Sequence, residues 1–164
     1  MPSRDNLYIG KAGQMVVMAE FLERGWNVGA PEVDVGDDIF VVRDDDGDLS
    51  RIQVKTARSS EHSYGYSGQF FVGKTQLHAL REPPLDYVFV VRRHTGWGPF
   101  IVIRQRRLQN LVANHNIGSE TERGYRFRIR YQEDDNGVVN QVDCAGFVLA
   151  EHLNDFSSWE RIEH

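Results

Sequence analysis

Asp38, Gln53 and Lys55 supply a carboxylate, a side-chain amide and an ammonium group, and the residues between them decide whether the three can meet. Two short apolar runs, residues 39–42 and 52–54, flank the stretch Asp44-Asp45-Asp46-Gly47-Asp48. Asp-Gly between apolar runs signals a β-hairpin. A two-residue turn centred on Asp46-Gly47 predicts Asp38 opposite Lys55 and Phe40 opposite Gln53. Side chains alternate along a strand, so Asp38, Phe40, Gln53 and Lys55 share one face while Ile39, Val41, Ile52 and Val54 share the other. The apolar set belongs in the core, which leaves the polar trio projecting together at one edge of the sheet.

Such a trio suits chemistry on phosphate esters. Asp38 and the Gln53 oxygen can hold a hard cation such as Mg²⁺, which takes few protein ligands and leaves positions for water and phosphate. A cation held there would polarise a phosphoryl oxygen and acidify a bound water, with Lys55 orienting that water or offsetting developing negative charge. The same geometry also suits a plain cross-strand salt bridge between Asp38 and Lys55, which is worth little energetically.

The elements around the hairpin follow from periodicity. Residues 6–24 favour a helix that Gly25 stops, with Gln14, Val17, Met18 and Phe21 on an inward stripe and Glu20, Glu23 and Arg24 opposite. Further β-type runs cover residues 26–28, 70–72, 87–91 and 100–103, the last two apolar enough to be buried on both faces. Short helices are predicted at 75–80, closed by Pro83 and Pro84, and at 108–112. A hairpin follows, with strands at 125–131 and 138–142 joined around Asp135-Asn136-Gly137, and residues 151–162 read as a closing helix. A helix, then strands, then helix and strands again indicates an α/β fold, an α+β sandwich.

Several segments carry a family likeness. They are Gly13-Gln14, the stretch from Ala19 to Val28, Pro31-Glu32-Val33-Asp34-Val35-Gly36-Asp37-Asp38 and Ile52-Gln53-Val54-Lys55-Thr56. Together they resemble the PD-(D/E)XK nuclease superfamily, nearest to its restriction-endonuclease-like and Holliday-junction-resolvase-like members with a Gln-Val-Lys-Thr strand. The resemblance spans residues 8–58 and implies a restriction-endonuclease-like core, a helix followed by a mixed central sheet with flanking helices. It implies a metal-binding aspartate at Asp38, a metal- or water-binding residue at Gln53, a catalytic lysine at Lys55 and a supporting helix residue at Gln14. Members of the superfamily often carry glutamate where Gln14 and Gln53 stand. Asp34 and Asp37 are further carboxylates ahead of Asp38, either a second metal ligand or loop formers. The function implied is metal-dependent hydrolysis of phosphodiester bonds in duplex or branched DNA, with Mg²⁺ or Mn²⁺ as cofactor. The alternative is a weak or inactive nuclease-fold module that binds nucleic acid or a partner protein. Whether two copies pair as a homodimer stays open.

Length and charge bound these readings. The chain of 164 residues suits one domain, with residues 115–164 as a C-terminal elaboration. A net charge of −5 means that attraction to nucleic acid needs a local basic face, for which Arg92, Arg93, Arg104, Arg106, Arg107, Arg123, Arg126, Arg128 and Arg130 are available. Ser59, Ser60, Tyr64, Gly65, Tyr66 and Gly68 read as a polar, aromatic loop just after Lys55, and Arg58, Tyr64, Tyr66 and Lys74 are candidates for nucleic-acid contact. Gly68 to Thr75 spells a P-loop in letters, but Phe70-Phe71-Val72 reads as a strand and the helix after it is too short, so no nucleotide cofactor is expected. Cys144 is the one cysteine and reads as packing, and the histidines lack the spacing of a zinc site. Neither a signal peptide nor an apolar stretch of membrane-spanning length is present, so the chain reads as cytoplasmic.

Overall fold

The computed structural model describes residues 3–33 and 36–163. Helix α1 (Arg4–Glu23) begins where the Ser3 hydroxyl accepts the Asn6 N–H, and it ends ahead of Gly25, whose φ of 83° is left-handed. There the Gly25 N–H reaches the Leu22 carbonyl and the Trp26 N–H reaches that of Phe21, which closes the helix as a Schellman motif. The predicted inward stripe holds, since Val17 and Phe21 are fully buried and Met18 packs beside them.

Strands β1 (Asn27–Gly29), β2 (Ile39–Val42), β3 (Leu49–His62) and β4 (Gly65–Gly73) come next, followed by the short helix α2 (Lys74–His78). After them the chain runs through β5 (Leu85–Arg93), β6 (Gly96–Trp97), β7 (Ile101–Arg104), helix α3 (Gln105–His115), β8 (Ser119–Glu120), β9 (Gly124–Glu133), β10 (Val139–Cys144) and β11 (Phe147–Val148). Mixed pairing is the main feature of the centre: β3 runs antiparallel to β2 at its start and to β4 at its end, but parallel to β5 along residues 51–58. Residues 53–58 of β3 therefore have β5 as their only strand partner among the described residues, and a polar cleft opens beside them.

As its unbroken apolar run predicts, β5 is buried on both faces. Tyr87, Phe89 and Val91 enter one core with Phe70, Leu77, Leu108 and Phe127, while Val88 and Val90 enter the other with Val17, Phe21, Ile39 and Ile52. Helix α1 covers the second core, and the curled antiparallel strands β4, β9 and β10 with α3 cover the first. The result is an α+β sandwich around a mixed central sheet.

Three expectations need correction. The β2–β3 register is displaced by two residues, with Ile39 opposite Ile52 and Phe40 opposite Arg51, so Lys55 does not face Asp38. A two-residue type I′ turn would need positive φ at both Asp46 and Gly47, yet of the two only Gly47 has it, at 73°. Asp44, Asp45 and Asp46 instead make one helical turn, with the Gly47 N–H bonded to the Arg43 carbonyl. An even displacement preserves the faces, so Ile39, Val41, Ile52 and Val54 still enter the core.

The polar stretch 59–67 is not a loop either. It continues β3 and starts β4, with a tight turn at Ser63-Tyr64. Ser60, Glu61 and Ser63 are exposed on it, while Ala57, Tyr66 and Ser67 are buried.

Finally, residues 151–162 do not form a helix. A 3-10 turn at Ala150–His152 is broken by Asn154 at a left-handed φ of 50°, and the Asp155 carboxylate binds the Ser157 N–H and hydroxyl, local bonding that competes with helix. The tail packs through Phe156 and Trp159, both edge-on to Phe21, and the Trp26 indole N–H donates to the Glu160 carbonyl.

Candidate active site

Asp38 sits just before β2, where its backbone N–H bonds the Ile52 carbonyl at 2.9 Å. Its carboxylate reaches across to β3, and Oδ2 accepts the Val54 N–H at 2.7 Å and the Gln53 Nε2 at 2.5 Å. The carboxylate thus takes the place of the missing strand neighbour and satisfies a backbone donor that β2 no longer covers. Gln53, only 7% exposed, passes the connection on: its Oε1 accepts from Gln76 Nε2 of α2 at 2.7 Å. From the other side, α1 presents Gln14, whose Nε2 donates to the Asp38 carbonyl at 2.5 Å and whose Oε1 accepts from Lys11 Nζ at 2.9 Å.

Lys55 follows Gln53 by two residues on β3 and is half-buried in the cleft of roughly 600 Å³ that Asn6, Arg58, Gln69, Phe71 and Arg128 also line. Closeness of α1 to this strand depends on Gly13, because a Cβ there would stand 2.1 Å from Thr56 Oγ1. Gln14 reaches Asp38 only because the helix lies this low on the sheet.

The structure therefore brings Asp38, Gln53 and Gln14 into direct contact and sets Lys55 in the adjoining cleft, each on the element that the periodicity assigned to it. Asp37 is engaged elsewhere, fully buried against Arg51 at 2.7 Å and Arg81 at 3.7 Å. Asp34 lies outside the described residues. Among those described, no group of three or more His, Cys, Asp or Glu side chains could hold a metal ion. Gln76 and Lys11 are the contacts that sequence reasoning missed: Gln76 lies in a predicted short helix, but only folding brings that helix over β3.

The candidates for nucleic-acid contact divide. Arg58 lines the Lys55 cleft, and Tyr64 lies at the β3–β4 turn, stacked on His62 with ring centres 4.8 Å apart. Tyr66 is a correction, since it is 1% exposed between the Tyr131 ring and the Arg93 guanidinium and serves as packing. Lys74 is drawn to Glu120 at 2.6 Å, and this bond raises its pKa. Cys144 is buried as expected, its thiol donating to the Ile117 carbonyl, with burial pushing its pKa up to about 12. No described helix is long and apolar enough to cross a membrane.

The architecture matches a bacterial homing endonuclease, I-Ssp6803I, with a TM-score of 0.50 and 20% sequence identity, over 82% of this chain and 81% of that one. The chain has a restriction-endonuclease-like fold. Hjc, a Holliday junction resolvase from Archaeoglobus fulgidus, also matches, with a TM-score of 0.42 and 8% identity over 71% of this chain and 81% of that one. No family model and no curated protein sequence matches the chain. The likeness covers 82% of the chain and so extends well beyond residues 8–58, where the sequence motifs lie.

Proposed function

We propose that this chain hydrolyses phosphodiester bonds in DNA at the cleft between α1 and β3, with the aid of one hard divalent cation, Mg²⁺ or Mn²⁺. The observation that carries the reading is the direct contact of Asp38 with Gln53, with Lys55 next along the same strand face in a solvent-open cleft. This donor set fits a single hard cation, which takes one carboxylate and fills its remaining positions with water and phosphate. Gln53 would join Asp38 as a ligand with its amide turned so that oxygen lies beside the carboxylate. Gln76 carries both a donor and an acceptor and can bond either orientation. When bound, the cation supplies Lewis-acid activation of the phosphoryl group and of water. Lys55 offsets the charge that develops on the phosphoryl oxygens. Gln14 fixes the Asp38 backbone from the helix side, and Asn6 and Arg58 line the approach.

A second reading has its own observation. Gln53 Nε2 already donates to Asp38, which gives the carboxylate a hydrogen-bond partner without a cation, and that suits a module that binds nucleic acid but does not cut it. Cleavage of plasmid, branched and single-stranded DNA in Mg²⁺ or Mn²⁺ separates the two. The catalytic reading expects cleavage that Lys55→Ala or Asp38→Ala abolishes. Wild-type protein that binds DNA but leaves every substrate intact overturns it in favour of the binding module.

A further inference from the structure

The Lys55 cleft does not end at β4. A second groove of roughly 730 Å³, lined by His62, Tyr64, Arg126 and Arg130, adjoins it, and the two share Gln69 and Arg128. Register explains the continuity. Ser67, Gln69 and Phe71 of β4 lie opposite Arg130, Arg128 and Arg126 of β9, all on the outer face, because the alternate residues Phe70, Val72, Phe127, Ile129 and Tyr131 fill the core. The arginines recur at every second residue, about 7 Å apart along the strand.

Two properties of this face point to a ligand. Although the chain carries a net charge of −5, no carboxylate among the described residues lies within ion-pair reach of Arg126 or Arg128. Arg130 differs, being held by the buried Asp143 at 2.9 Å. The second property is Phe71, a large aromatic 45% exposed on an otherwise polar sheet face, between the Lys55 cleft and Arg126. Guanidinium groups in a line bind consecutive phosphates, and an exposed ring among them offers a stacking surface for an unpaired base. A duplex keeps its bases stacked on one another and gives such a ring nothing to hold.

We infer that a single-stranded nucleic-acid segment runs from the Lys55 cleft across the outer face of β4 and β9, with Arg126 and Arg128 on its phosphates and Phe71 stacked on a base. The inference rests on the cleft being a phosphodiester site and names the form of substrate that enters it. Fluorescence anisotropy in EDTA, where a divalent-dependent cut cannot proceed, tests it with a labelled mixed-sequence 20-mer as single-stranded DNA, single-stranded RNA and duplex DNA. Wild-type protein is expected to bind a single strand at least tenfold more tightly than the duplex, and the tighter of DNA and RNA identifies the sugar. Phe71→Ala should weaken single-strand binding about tenfold without altering its salt dependence. Arg126→Ala/Arg128→Ala should weaken it and lower the slope of log K against log salt by about 1.4. Duplex bound as tightly as the single strand, or either variant binding like wild type, overturns the groove. Failure of the catalytic reading looks different, because single-strand binding in EDTA would persist while no substrate is cut in Mg²⁺ or Mn²⁺.

Discussion

Gln53 donates to the Asp38 carboxylate over 2.5 Å, so two residues far apart in sequence are locked at the point where β2 stops covering β3. An amide and a carboxylate are compatible neighbours, whereas two carboxylates at that distance are not unless they share a proton or a cation. Gln53→Glu is therefore expected to lower the thermal stability of the metal-free protein at pH 8 more than at pH 5. Mn²⁺ should restore that stability, and calorimetric titration should show Mn²⁺ bound about tenfold more tightly than by wild type, because ligand charge sets the affinity for hard cations. Metal-free stability equal to wild type at both pH values would show that the two side chains do not meet.

Gln76 holds the far end of the same amide. Gln76→Leu leaves the buried Gln53 oxygen without its donor, and an orphaned buried acceptor costs about 1–3 kcal/mol. Urea unfolding should show a loss of that size, and DNA cleavage in Mg²⁺ should fall as well, since Gln53 would no longer be oriented.

Gly13 sets the height of α1 above β3. Gly13→Ala places a methyl group 2.1 Å from Thr56 Oγ1 and forces the helix outward, at a cost of about 1–3 kcal/mol. Removing the hydroxyl and methyl with Thr56→Ala in the same chain should recover part of that loss in a double-mutant cycle, a non-additivity that independent sites would not show.

Asp86, at the start of β5, has its pKa pushed up to about 6 by burial, with Arg104 only partly opposing the shift. A carboxyl with a raised folded-state pKa favours the fold when protonated, so its contribution is complete below pH 4 and is lost as pH rises through about 6. Asp86→Asn should therefore match wild type in thermal stability below the ordinary carboxyl value of 3.8 and exceed it at pH 8, by on the order of 2–3 kcal/mol at about 1.4 kcal/mol per pKa unit. A difference independent of pH would remove burial as the cause.

The sequence by itself determined the elements whose pattern is local. The α1 stripe with its Gly25 stop, the doubly buried β5 and the alternation that places Asp38, Gln53 and Lys55 on one face all follow from spacings of two or of three and four residues. Tertiary structure decided what those spacings leave free. Alternation fixes the face of a strand but not its register, so the helical turn at Asp44–Asp46 moved the partner of Asp38 from Lys55 to Gln53 without changing which side chains point inward. Polar character at residues 59–67 looked like a loop because the sequence cannot show that β9 lies beside β4. The final segment ends as a strap rather than a helix because Phe156 and Trp159 find Phe21 on α1, a contact between the two ends of the chain. Gln76 joins the site for the same reason: its position depends on a helix crossing a strand, and a pattern along one segment carries no information about that crossing.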